Sequence, residues 1–188
     1  MELVTERLLL HPVGDEDAEA IVKLAGDPQV AEMTCRIPHP LSTVAVRDWL
    51  ESVTTWRERV FAILLKDRGI ASRPALIGVI ELRPAADPGI ADVGYWLGVE
   101  FWRHGYMTEA LRRVLRHAFG DLKLASVTAE VFVENARSVG VLVKSGFEVE
   151  GRAHRPAPAR GGDREVLQFK ATRASFAHAA LSQAVGRA

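Results

Sequence analysis

The chain of 188 residues is poor in cysteine, with Cys35 alone. No intramolecular disulfide can form, and a reducing compartment fits that usage. Neither charge is in excess, with 24 Lys and Arg against 24 Asp and Glu. Without a net field the chain is not drawn to nucleic acid or to a membrane surface. No apolar run approaches the roughly 20 residues that a membrane span requires. The opening MELVTERLLLHP has acids early and a short apolar stretch, unlike a secretion signal. His11, His39, His104, His117, His154 and His178 are scattered without metal-ligand spacing, so no metal is expected. Cys35 has no Cys/His signature around it and reads as a structural thiol, not an acyl-carrying nucleophile. Internal repeats and a dividing linker are also lacking. These absences lead us to expect a cytoplasmic protein with one domain over residues 1–188.

What is present is patterned. A hydrophobic share of 48% suffices for one real core. TERLLLHPV reads as a first strand ended by Pro12. GDEDAEAIVKLAGDP opens with acids, as helix N-termini favour, and sets Ile21, Leu24 and Ala25 on one face. IPHPLSTVAVRDWLESVTTWRER offers a Ser42/Thr43 cap before Val46, Trp49, Leu50 and Val53 at helical spacing. VFAILLKD, ALIGVIELRP and ADVGYWLGV are three strands with short connections such as RGIASRP, hence an antiparallel meander. A helix follows from Gly105 to Phe119, then the strand LASVTAEVFVE. NARSVGVLVKSGF is a short helix with Asn135 as cap and Gly146 as stop. FEVEG is a strand, RAHRPAPARGGD a loop, and REVLQFKATRASF a last strand running into a helix. The expected fold class is α/β of the α+β kind: a mixed, mostly antiparallel central sheet flanked by helices.

The stretch YWLGVEFWRHGYMTEALRRVLRHAF carries the chemistry. A strand feeds a loop and a helix N-terminus, with Gly105 at the turn and Arg103 and His104 before it. Free amides, the helix dipole and nearby positive charge together make an anion cradle. The plainer reading is a helix start with a glycine and a surface arginine. The segment has neither the dinucleotide glycine fingerprint nor the Lys-Ser/Thr ending of a nucleotide P-loop, which disfavours both of those phosphate sites.

Three segments in order resemble the GCN5-related N-acetyltransferases (GNAT), in the branch of the ribosomal-protein N-terminal acetyltransferases. They are TERLLLHPV, then Tyr-Trp-Leu-Gly with Trp-x-x-Gly-Tyr-x-Thr-Glu-Ala, then Asn-x-x-Ser with Lys-x-Gly-Phe and Glu-Gly. The resemblance runs from Thr5 to about Phe176. It implies acetyl-CoA as co-substrate. The pyrophosphate would lie on the amides of Arg103, His104, Gly105, Tyr106, Met107 and Thr108. The pantetheine arm would run along the preceding strand, near Leu97 and Val99, in a slot opened by a bulge. Asn135 and Ser138 would lie beside that arm. Two positions depart from the branch: Arg103 stands where glycine is usual, and Met107 where a small residue is usual.

The resemblance also implies direct transfer to a primary amine, on a protein N-terminus or a small molecule. The oxyanion would be met by a backbone N–H around Tyr95 to Leu97. Many relatives protonate the leaving thiolate with a tyrosine whose place here is Leu142; in the ribosomal branch a serine is used, here Ser138. The base would be Asp92 or, from the neighbouring strand, Glu81, or else both are solvated strand-end charges and a water chain to bulk takes the proton; an acid that some relatives carry in a later loop is replaced by Ala157. Trp49, with Trp56 on the same helix, reads either as core or as an acceptor contact. The loop from Arg152 to Asp163, with Arg152, Arg155 and Arg160, would shape the acceptor side. A homodimer is compatible with the family. The rival from another class is a module that binds acyl-CoA without turnover, to which the missing tyrosine and the bulk of Met107 point.

Overall fold

Alternating apolar residues build the strands, and apolar residues at every third or fourth position build the helices. The computed structural model describes residues 1–53, 59–66 and 75–185. The first apolar stretch is two strands, β1 (Leu3–Val4) and β2 (Leu8–Pro12), because the chain turns back at Thr5, whose N–H bonds the Leu8 carbonyl. Helix α1 spans Ala18–Ala25. A short α2 (Pro28–Ala31) follows: Asp27 caps it and Pro28 sits at its first position. Helix α3 (Thr43–Ser52) is capped by the Ser42 hydroxyl, as its sequence predicts. Trp56 and the whole RGIASRP turn lie outside the described residues.

Strands β3 (Val60–Leu65), β4 (Ala75–Pro84) and β5 (Ile90–Leu97) form the expected antiparallel meander. Helix α4 (Tyr106–Gly120), β6 (Ser126–Phe132) and α5 (Ala136–Lys144) follow. A hairpin of β7 (Glu148–Pro156) and β8 (Asp163–Thr172) leads into α6 (Arg173–Val185). One eight-stranded sheet results, in the order β1-β2-β3-β4-β5-β6-β8-β7. The first part of the expected RAHRPAPARGGD loop, as far as Pro156, is therefore strand. Its backbone is paired with β8 from Arg152↔Leu167 to Pro156↔Asp163, and Pro156 is tolerated at the end of an edge strand.

Side chains alternate across the sheet and so build two cores. Ile80, Leu82, Ala91, Val93, Leu97, Val127 and Ala129 pack with α4 and with Leu142 of α5. On the other face Ala62 and Val79 pack with α1 and α3, and Trp96 lies against them. Among the described residues, no helix is long and apolar enough to cross a membrane.

The sheet divides at β5. That strand keeps unbroken register with β4 from Gly78↔Leu97 to Pro84↔Ala91. It pairs with β6, in parallel, only at Ile90–Asp92 opposite Ser126–Thr128. Strand β6 meanwhile stays with β8 as far as Phe132↔Val166. Each strand twists with its own antiparallel partner, and the two part. The bulge expected on β5 is not what opens the slot.

Candidate active site

The gap between β5 and β6 is a cavity of about 750 Å³ that reaches α4, α5 and the segment after α2. One end is the N-terminus of α4. Gly105 caps it with φ +79 and no side-chain cap bond, and the first helical bond runs from Glu109 N–H to the Gly105 carbonyl. The amides of the first turn are thus left for a ligand. Arg103 also has φ +66, the left-handed region that glycine favours, so the backbone keeps the shape of the family's glycine at a strain of about 1 kcal/mol. Met107 does not crowd the cradle through exposure: its side chain is buried in the core under α4. His104 is exposed and stacks on the Tyr106 ring.

This loop is tied down from the far side of the chain. Glu109 accepts hydrogen bonds from the Thr5 hydroxyl (2.6 Å), the Arg7 N–H (2.9 Å) and the Arg7 guanidinium (2.6 Å). Arg7 also donates to the His104 carbonyl (2.9 Å) and lies over the Tyr106 ring. Partial burial would raise the Glu109 carboxyl, but the bonds from Thr5 and Arg7 outweigh it and hold the group below its usual range.

Along the slot, the Gly98 N–H bonds the Ile77 carbonyl on the β4 side. Backbone groups alternate along a strand, so the N–H groups of Tyr95 and Leu97 turn toward the gap. The Leu97 carbonyl accepts the Trp102 indole N–H at 2.8 Å. On the face of α4 and α5, the Tyr95 phenol lies 2.9 Å from the Ser138 hydroxyl and 3.3 Å from the Ser138 carbonyl. Burial pushes the Tyr95 phenol well up, with the Ser138 bond opposing, so it stays protonated and available as a donor. Asn135 caps α5 by accepting the Ser138 N–H at 3.2 Å, and its amide donates to the Met33 carbonyl at 3.3 Å. Leu142 is wholly buried, so the place of the relatives' tyrosine is closed.

The opposite face of the same strands is charged. Arg83 is bonded to both Glu81 and Asp92, and the Thr128 hydroxyl reaches Asp92 at 3.3 Å. Gly94 makes room for this cluster: a Cβ there would stand 2.8 Å from the Arg83 guanidinium and 2.9 Å from the Glu81 carboxylate. Burial raises the Glu81 carboxyl above its usual range, with Arg83 and then Arg36 pulling it down. Glu130 is held by Arg155 at 2.5 and 2.6 Å and by the Gln168 amide at 3.0 Å. Burial pushes the Cys35 thiol up to about 11, with Glu130 adding to it, which makes it a poor nucleophile at neutral pH.

Among the residues expected from sequence, Glu81, Asp92, Tyr95, Leu97, Arg103, Gly105, Tyr106, Met107, Thr108, Asn135 and Ser138 line the cavity. Val99 and His104 stand beside it but do not line it. Trp49 is not brought to it; it packs half-buried against the second core. Of the loop arginines only Arg155 lines it, while Arg152 pairs with Glu165 and Arg160 with Glu134. Ala157 is buried beside Phe132 and Val166. Sequence reasoning missed Arg7, Arg36 and Arg83. For Arg7 the signal lies in TERL and Thr-Glu-Ala, whose Thr5, Arg7 and Glu109 are partners in the fold.

The profile of the acetyltransferase (GNAT) domain family matches residues 7–148. A Bacillus subtilis protein described as the uncharacterized N-acetyltransferase YoaA is 30% identical, over 79% of this chain and 84% of its own. The ribosomal-protein-S5-alanine acetyltransferase of Vibrio fischeri superposes with a TM-score of 0.75 at 17% identity, covering 94% of this chain and 98% of that one. RimJ of Mycobacterium smegmatis, solved in complex with CoA-disulfide, superposes with a TM-score of 0.73 at 22% identity, covering 94% and 89%. The parted strands, the glycine-capped helix and these matches converge: the chain belongs to the GNAT family and is an N-acetyltransferase.

Proposed function

We propose that the protein moves an acetyl group directly from acetyl-CoA to a primary amine. The observation that carries this is the slot between β5 and β6. It joins the free amides of α4 to the Tyr95–Ser138 pair, and it opens on the Glu81–Arg83–Asp92 cluster across the sheet. The residues fit acetyl-CoA: a phosphate cradle at Gly105, an unpaired strand edge for the amides of a pantetheine arm, and Asn135 beside it. Acetyl-CoA supplies the thioester carbonyl.

The two faces then divide the work. The amine enters from the charged face. Its proton passes to the Glu81–Arg83–Asp92 cluster, where Glu81 is the buried carboxyl with raised affinity for protons. A free α-amine, with a pKa near ~8, needs little help. The N–H of Tyr95 or Leu97 meets the carbonyl oxygen as charge builds on it. The new N–C bond forms, the C–S bond breaks, and the sulfur leaves toward the face of α5. There the Ser138 hydroxyl donates to it, with the Tyr95 phenol supporting Ser138.

The test starts from Gly105→Val. A branched side chain at φ +79 is strained, and it occupies the place where backbone and phosphate meet. The expected result is a folded protein with CoA affinity at least about tenfold weaker. Unchanged affinity removes the cradle from the site. Free-thiol release with a panel of amines then reads transfer itself; no release above background hydrolysis, with CoA bound, overturns the proposed reaction.

A further inference from the structure

The charges on the acceptor face are nearly all answered within the chain. Glu81 and Asp92 share Arg83, and Glu130 is held by Arg155 and Gln168. Among the described residues the exception is Arg36, an exposed side chain that lines the cavity with no hydrogen bond, ion pair or ring contact. Its charge acts on Glu81 and on Cys35, which places it beside the cluster. Among the described residues Arg103 is the other cavity arginine without a partner, and it belongs to the phosphate loop.

Arg36 is not on a slack loop. The Met33 carbonyl is bonded by the Asn135 amide, the Thr34 hydroxyl bonds the Ala31 carbonyl at 2.9 Å, and the Ile37 N–H bonds that hydroxyl at 3.3 Å. Ile37 packs on the second core. The segment is thus pinned on both sides of Arg36, which lines the slot while staying open to solvent. An acceptor with extra positive charge would meet an unpaired cation, and every carboxylate there is already engaged. An acceptor with a carboxylate near its amine would complete the set.

We infer that Arg36 is an anion subsite of the acceptor pocket, and that the acceptor is a primary amine bearing a carboxylate a few atoms away. This rests on the acyl-transfer reading above. The chemistry has two sources, a free amino acid or a peptide N-terminus followed by an acidic side chain. A guanidinium suits a carboxylate because it offers two parallel N–H donors.

The experiment compares the common amino acids with their own amides, and short peptides acidic or neutral at the second residue, with spermidine as the polycation. Thiol release is followed at saturating acetyl-CoA, and binding of the same compounds to the CoA-loaded protein by calorimetry. The best carboxylate-bearing amine should exceed its neutral counterpart about tenfold or more in kcat/KM. Arg36→Gln should abolish that preference, Arg36→Lys should restore part of it, and CoA affinity should stay unchanged in both. Preference within the amino-acid arm identifies a small acceptor; preference within the peptide arm identifies a protein N-terminus. Equal use of acid and amide, spermidine as best acceptor, or a preference that survives Arg36→Gln overturns the inference. If no amine is turned over, the transfer reading fails while calorimetry still decides this one: carboxylate-dependent binding lost in Arg36→Gln supports it, and its absence overturns it.

Discussion

A serine hydroxyl is a weak acid, yet it can strengthen a hydrogen bond as a sulfur gains charge. Such a bond to a charged partner contributes about 1.5–3 kcal/mol. Ser138→Ala should therefore lower kcat by roughly ten- to a hundredfold with KM for acetyl-CoA nearly constant. Tyr95→Phe removes only the support behind Ser138, and kcat should fall by less, about two- to tenfold. Steady-state kinetics on both variants check this; a raised KM at normal kcat would make the pair a positioning device. Sequence could single out Ser138 but not the phenol. Tyr95 was marked for its backbone N–H, and only the closing of α5 onto β5 shows where its ring goes. Arg103 is the converse. Sequence flagged a bulky residue where glycine is usual, and the structure keeps the glycine-like backbone regardless.

Two elements far apart in sequence share one clamp. The β1–β2 turn and the first turn of α4 meet at Glu109, through Thr5 and Arg7. The folded-state carboxyl sits below its usual range, so its contribution is present above the unfolded pKa of 4.5 and is lost as pH falls through the lower folded value. Denaturant titrations should show stability falling on that acid side, with the dependence flattened in Glu109→Gln. The same variant should weaken CoA binding at neutral pH several-fold, because the loop bearing Gly105 loses its anchor. Order and type of most elements were legible, since apolar spacing and the Ser42 and Asn135 caps speak locally. The second half of β7, from Arg152 to Pro156, was not. Its Pro, Arg and Gly content argues for a loop, and only pairing with β8 and the Arg155–Glu130 contact overrides that local preference.

The whole molecule was readable as a sheet with helices on both faces, because the meander and the later helices each declare themselves. The division of the site between two faces was not, since it depends on strand register. Glu81 opposite Gly94 and Arg83 opposite Asp92 are cross-strand facts. Ligand and fold are coupled at this scale. CoA at a hundred times its dissociation constant should add about 2.7 kcal/mol of stability. For a chain of this size that amounts to a rise in Tm of about 2–4 °C per kcal/mol, readable by calorimetry and cut to about half or less in Gly105→Val at the same CoA concentration. Strands β5 and β6 hold each other through three residue pairs and then leave their facing edges bare. On the proposed reaction the sheet is one strand short, and the missing strand would be a reactant that leaves after every cycle. A protease or an exchanging deuteron should then find that seam most easily in the empty protein, and the survival of this chain would be tied to the supply of the molecule it spends.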